Sequence, residues 1–288
     1  MKKLSIVIVT YNSLNDIINC IDSIYITNDL LVNEIEIIIV DNSSIEVFTE
    51  MQMLVCKRFE NIRLIHNPSN GGYGQGNNVG IKASNAKIIC VANPDIIIQN
   101  PMFKKVLKSF HSNKKLSVIG GKQMGGINLS FWIRPEFEFF LLTTPLMIVL
   151  NKLNVYFEKF CFISGALLFI DKEKFDRIGL FDENIFLYRE ESDIVKRFLK
   201  ANYTTQFDKE LIYKHLIDDR NKVNEFAFNE EMKSTYYYMK KYNFSFRYFI
   251  FQRLLYCYIM KYFYFLTLKK AKYLEVNKII RKFKNFNF

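Results

Sequence analysis

The chain has 288 residues, half of them apolar, and a formal net charge of +11. That size and apolar content support one or two packed domains and exclude a disordered chain. The charge is uneven: residues 220–288 carry 15 Lys/Arg against 4 Asp/Glu, whereas residues 1–219 hold 25 of each sign. A neutral body with a basic, aromatic tail points to an anionic partner surface, either lipid or nucleic acid. The five cysteines (Cys20, Cys56, Cys90, Cys161, Cys257) are scattered and odd in number, with no CxxC pair. They read as buried thiols of a reducing compartment. Lys2-Lys3 leads straight into a strand-like run instead of a long apolar leader. The longest charge-free apolar candidate, Phe139–Leu150, is too short to span a bilayer and contains Pro145.

In chain order, Leu4–Thr10 is a continuous β-branched run, the pattern of a parallel strand covered on both faces. Ser13 and Asp16 resemble a capping box, and Ile17, Ile18, Ile21 and Ile24 form a helical stripe. Ile35–Val40 is a second strand and Ile62–His66 a third, with a helix-like segment between them. The segment from Asn67 to Asn78 reads as a glycine-rich loop. Its Gly72, Gly74 and Gly76 fit neither GxGxxG nor a P-loop, so it is either a close-approach backbone segment or an ordinary turn. Lys87–Ala92 is the fourth strand. It stops at Asn93-Pro94-Asp95, which places one carboxylate at a strand exit, where α/β sheets bind ligands. Asp95 there reads either as a divalent-metal ligand on a nucleotide diphosphate or as a helix N-cap.

Met102–Phe110 follows as a helix and Ser117–Gly121 as a strand. Gly125–Leu150 carries the only tryptophan, Trp132, and reads as a substrate-covering segment or an exposed apolar patch. Ser164-Gly165-Ala166 precedes an apolar strand, where small residues permit either a ligand's close approach or tight packing. Glu190, Glu191 and Asp193 fall in the first turn of a helix. Three carboxylates there either suit the helix dipole or, by mutual repulsion, raise a pKa toward that of a general base. His215 ends another strand-like run and is a candidate metal or phosphate ligand. From Tyr236 onward the tail is rich in Tyr, Phe, Lys and Arg. Phe244–Leu268 reads as a helix lying in a membrane interface, as a packed helical hairpin, or as a nucleic-acid surface; the last lacks any recognition motif.

The ordered set of Ser5–Ser13, Val40–Ser44, Asn70–Asn78, Asn93-Pro94-Asp95, Ser164-Gly165-Ala166, Phe181-Asp182-Glu183 and Tyr188–Asp193 resembles the inverting family 2 glycosyltransferases. It spans roughly Lys3–His215 in the family's order. The Asn-Pro-Asp form is most similar to a rhamnosyltransferase-type subgroup that builds bacterial surface polysaccharides. The resemblance implies an α/β, GT-A fold: a Rossmann-like, mostly parallel sheet with flanking helices over residues 1–219. A C-terminal helical, basic-aromatic region would follow over residues 220–288.

It also implies roles. Thr10, Tyr11, Asn12 and Asp41 would hold the nucleotide, with Asn70, Gly71, Gly72, Gly76 and Asn78 passing over it and Asn93 beside it. Asp95, with His215, would hold Mg²⁺ or Mn²⁺ on the diphosphate; Asn93 replaces the family's first acid there. Glu191 falls where the family carries its general base, usually an Asp. Ser164, Gly165, Ala166, Glu190, Asp193 and Trp132 would meet the donor sugar or the acceptor. The segment Leu216–Arg220 departs from the family's small-residue pattern. The expected reaction moves a sugar from dTDP-rhamnose or a UDP-sugar to a lipid-linked or growing polysaccharide. It would occur at the cytoplasmic face of a bacterial plasma membrane, the tail resting on the anionic leaflet. Three other readings remain at this point: a nucleotidyltransferase, a degenerate nucleotide-binding protein, and a nucleic-acid binder using the basic tail.

Overall fold

A computed structural model describes residues 2–125, 129–216 and 225–286. Its elements run β1 (Leu4–Thr10), α1 (Leu14–Thr27), β2 (Ile35–Asp41), α2 (Ile45–Arg58), β3 (Ile62–His66), α3 (Gly72–Ala83) and β4 (Ile88–Ala92). There follow β5 (Ile96–Ile98), α4 (Phe103–Ser112), β6 (Leu116–Met124), β7 (Phe131–Ile133), α5 (Phe140–Leu153), β8 (Cys161–Ile163) and β9 (Leu167–Asp171). The chain continues through α6 (Lys172–Arg177), α7 (Glu190–Lys200), β10 (Thr204–His215), α8 (Glu225–Lys241), α9 (Phe246–Leu266) and α10 (Lys270–Asn285).

Eight strands form one sheet in the order β3-β2-β1-β4-β9-β6-β10-β5. Six share a direction; β9 is antiparallel to β4 and β6, and β5 is antiparallel to β10. Every residue of β1 is buried because both faces are covered. Leu4, Ile6 and Ile8 pack with Ile17, Cys20, Ile21 and Ile24 of α1 on one face. Val7 joins Ile89, Val91, Phe175, Ile194 and Phe198 on the other. A third core joins Phe140 of α5 to α8, α9 and α10 through Met232, Tyr238, Phe249, Cys257 and Phe283.

Several local expectations change. The glycine-rich segment is mostly helix: α3 begins at Gly72. Its glycines pack the helix onto its neighbours, with Gly76 against Val9. Gly72 has φ +90°, and a Cβ there would stand 2.0 Å from the Phe186 carbonyl oxygen, so neither the backbone nor the space admits a larger residue. Asp95 is not a helix cap, since α4 starts beyond it with Met102 at the N-cap. Ser13 makes no capping bond; its hydroxyl donates to the Tyr11 carbonyl at 3.0 Å. Four cysteines are buried, but Cys56 is exposed.

The basic tail is a set of three helices packed against the body and against one another, with α9 and α10 antiparallel neighbours in sequence joined by a short turn. Arg189 pairs with Glu231 of α8 at 3.0 Å, and Lys241 of α8 pairs with Asp182 at 2.7 Å. The proposed boundary at residues 219 and 220, and the Ile217–Arg220 part of the departing segment, lie outside the described residues. No helix among the described residues is long and apolar enough to cross a membrane.

Candidate active site

Strand direction brings the candidate residues to one sheet edge. Thr10 ends β1 and pairs in register with Asp41, the end of β2. Ile8 pairs with Ala92, so Asn93 and Asp95 leave β4 at that same edge. Because β9 is antiparallel, its amino end lies there too, with Ala92 opposite Leu167 and Ser164-Gly165-Ala166 just before it. The last residue of β10, His215, pairs with Ile96 and so lands beside Asp95.

At one end of the edge, Asp41 is fully buried. Its Oδ1 accepts from the hydroxyls of Thr10 at 2.7 Å and Ser43 at 2.9 Å. Its Oδ2 is buried without a hydrogen-bond partner, an unspent acceptor. Tyr11 stands 57% exposed beside it. Asn12 takes φ +52°, and its amide donates to the Ser43 hydroxyl at 2.8 Å. Asn70 also has positive φ, 40°, immediately before Gly71, the N-cap of α3.

Further along, His215 Nε2 lies 3.2 Å from Asp95 Oδ1 and 3.3 Å from Asn93 Nδ2, while its Nδ1 is buried without a partner. Two donors held about 2.1 Å from one octahedral ion would stand about 3 Å apart, so the Asp95–His215 spacing suits a shared divalent cation. No cluster of three or more metal-binding side chains occurs among the described residues. This pair therefore suits an ion that takes its other ligands from a bound phosphate and water.

A cavity of about 660 Å³ adjoins this pair. Its walls include Asn93, His215, Ser164, Gly165, Ala166, Glu190, Glu191 and Trp132. Glu190 and Glu191 open α7, and the preceding residues Tyr188 and Arg189 have φ +70° and +78°. Such consecutive left-handed residues cost about 1–3 kcal/mol each and persist only where their surroundings hold them. Here Arg189 donates to Thr235 at 2.8 Å and Ser234 donates to the Leu187 carbonyl at 2.7 Å, so α8 clamps the turn. Tyr73 donates to the Gly165 carbonyl at 2.9 Å and fixes the opposite wall. Burial raises the Glu191 pKa. Burial, then the adjacent Glu191 carboxylate, pushes that of Glu190 well above the usual range.

Two candidates are engaged elsewhere. Asp193 is fully buried outside the cavity wall, accepting from Arg197, Lys241 and Tyr242. Asn78 spends its side chain on the Phe181 backbone and the Glu183 carboxylate. The sequence reading missed Tyr73, Glu138, Arg189, Glu231, Arg253 and Tyr256, which also line the cavity. Arg253 carried a signal, as a charge interrupting an apolar helix.

The sequence profile of "Glycosyl transferase family 2" matches residues 5–179. The chain is 28% identical over 205 residues to the low-salt glycan biosynthesis hexosyltransferase Agl10 of Haloferax volcanii, covering 69% of this chain and 62% of that one. It is 27% identical over 232 residues to the uncharacterized glycosyltransferase EpsJ of Bacillus subtilis, covering 79% and 64%. The chain thus spans less than two thirds of the length of these relatives. Among solved structures it resembles the mannosyltransferase PcManGT of Pyrobaculum calidifontis, in complex with GDP-Man and Mn²⁺. There the TM-score is 0.58 at 12% identity, over 80% of this chain and 61% of that one. It also resembles S. aureus TarS, with a TM-score of 0.53 at 20% identity over 80% and 38%. The body has the GT-A fold that the sequence reading expected, and the chain belongs to glycosyl transferase family 2.

Proposed function

We propose that this chain is an inverting hexosyltransferase that moves a sugar from a nucleotide-diphosphate donor to an acceptor hydroxyl. The observation that carries this is the placement of Glu191 and His215 on one cavity, with Asp95 3.2 Å from His215. Asp41, with its unspent buried Oδ2, accepts a base N–H; a pyrimidine such as that of dTDP-rhamnose or a UDP-sugar provides one. Asp95 and His215 would hold Mg²⁺ or Mn²⁺, which neutralises charge on the leaving diphosphate. The Mn²⁺ and GDP-Man bound by the Pyrobaculum structure support a divalent metal in general.

Glu191 takes the proton of the acceptor hydroxyl as its oxygen attacks the anomeric carbon. The bond to the diphosphate breaks on the opposite face, its electron pair leaves with the diphosphate, and the centre inverts. A carboxylate with a raised pKa suits this step because it binds the proton more strongly than an ordinary Glu. Glu191→Gln is expected to lower transfer by about 10²–10⁴-fold, while nucleotide affinity, read by thermal stabilisation, stays unchanged. Lost nucleotide binding, or retained transfer, would overturn the base assignment.

We further propose that the acceptor is lipid-linked or part of a growing surface polysaccharide, and that the protein works as a peripheral protein on a cytoplasmic membrane face. Tyr248, Phe251, Leu255, Tyr258 and Tyr262 are exposed at helical spacing along α9. Six basic residues and one acidic residue follow on α10. Such a stripe buries in the interface while the lysines meet anionic lipid. The protein is expected to co-sediment with phosphatidylglycerol-containing vesicles and to leave them when Phe251, Tyr258 and Tyr262 become Ser. Equal recovery with neutral vesicles, or no change in the triple variant, would count against this placement.

A further inference from the structure

The cavity beside Glu191 is closed by the C-terminal helices. Glu231 of α8 and Arg253 and Tyr256 of α9 line it, together with Trp132 and Phe162. Glu138, just before α5, lines it too. These charged groups are held in place but not exhausted. Glu231 Oε1 accepts from Arg189 at 3.0 Å and from Arg253 at 3.2 Å. The Arg253 guanidinium lies 4.0 Å from the Phe140 ring centroid, which fixes its plane. Yet Arg253 Nε, Glu138 Oε2 and Glu190 Oε1 are each buried without a hydrogen-bond partner. Buried polar atoms left unpaired around one cavity mark the contacts a ligand would complete.

The balance of charge says which ligand. Four carboxyl groups (Glu138, Glu190, Glu191, Glu231) line the cavity against two guanidiniums, Arg189 and Arg253, and both guanidiniums already donate to Glu231. A carboxylate or phosphate on the acceptor would have to compete with Glu231 for them and would otherwise face carboxyl oxygens in a partly dry site. An uncharged sugar ring meets no such penalty. Its hydroxyls donate to the glutamates and accept from Arg253 Nε, and its C–H faces lie against Trp132, Phe162 and Tyr256. Burial raises the Glu138 pKa, which suits a carboxyl that shares hydrogen bonds with neutral hydroxyls.

We propose that this floor is an acceptor subsite for an uncharged sugar ring, held by Glu138 and Arg253, so that α9 forms part of the binding machinery. The proposal rests on Glu191 as the base, because it places the ring's attacking hydroxyl there. Trp132 is the only tryptophan in the chain and lines the cavity at 42% exposure, so its fluorescence reports occupancy without turnover.

The experiment titrates the full chain, with nucleoside diphosphate and Mn²⁺ present, with methyl glycosides of glucose, galactose, N-acetylglucosamine and rhamnose, and with methyl glucuronide. At least one neutral glycoside is expected to give a saturable change, with the glucuronide about tenfold weaker or more. Glu138→Gln and Arg253→Lys should each weaken the neutral glycoside by about tenfold with unchanged stabilisation by nucleotide. Arg253→Lys keeps the positive charge that pairs with Glu231, so the fold is retained. A glucuronide that binds as tightly as the neutral glycosides, no saturable neutral glycoside, or unchanged affinity in both variants would overturn the proposal. Failure of the base assignment shows separately, as transfer surviving in Glu191→Gln while glycoside binding is intact.

Discussion

Gly165→Ala tests the site through a single methyl group. A Cβ at position 165 would lie 2.0 Å from Glu191 Oε1, 2.8 Å from Cδ and 3.0 Å from Cγ. Carbon and oxygen settle no closer than about 3.3 Å, so the carboxylate would retreat by about 1.3 Å. The obstacle is the end of a flexible side chain, not backbone, so the cost falls on the position of the carboxylate more than on folding. A misplacement of about 1 Å costs about 100-fold in rate, or about 2.7 kcal/mol of barrier. The assay is the initial rate of nucleoside diphosphate release with the donor that wild type turns over fastest. Thermal unfolding and nucleotide affinity serve as controls. A variant that melts within a few degrees of wild type, binds nucleotide normally and loses about two orders of magnitude in kcat/KM fits the reasoning. Activity within about twofold of wild type would refute it, since Glu191 would then not be the group that must stand there.

Two predictions concern pH. Glu191 acts as a base only when ionised, and burial raises its pKa, so kcat/KM should rise with pH through a midpoint above the ordinary Glu value of about 4.3. A midpoint at or below that value would count against the assignment. Glu190 holds its proton more tightly folded than unfolded, because burial and then Glu191 disfavour its charge. Stability is therefore fully present below the unfolded-state pKa and declines as pH rises toward the folded-state value. Glu190→Gln removes that decline, so its gain in Tm over wild type should grow as pH rises above the ordinary Glu value of about 4.3; a gain that shrinks over this range would reverse the sign of the argument.

Much of this molecule was legible from residue order. Strands such as Leu4–Thr10 announce themselves because a strand covered on both faces must be apolar throughout. The exits at Thr10, Asp41 and Asp95 follow from where those runs stop. The α7 start at Glu190 was equally plain, from its acids followed by an apolar stripe. The glycine segment was misread as a loop because glycine propensity opposes helix, and only packing against Val9 and Phe186 makes the small residues necessary. Asp193 and Asn78 looked like site residues because their type and neighbours matched. Their side chains turn instead to Lys241 and to Phe181, partners 48 and 103 residues away.

The sequence by itself determined the α/β body, the edge on which the chemistry sits and the carboxylates at that edge. Local periodicity and strand exits specify these, and both are written in neighbouring residues. The resemblance had set His215 with Asp95, but only the tertiary structure decided the geometry by which they meet, through the antiparallel pairing of β10 with β5. It also decided that the tail helices wall the cavity through Glu231 and Arg253. Those contacts join residues far apart in the chain. They depend on strand order and on how a third hydrophobic core docks against the first two, and no local pattern encodes either.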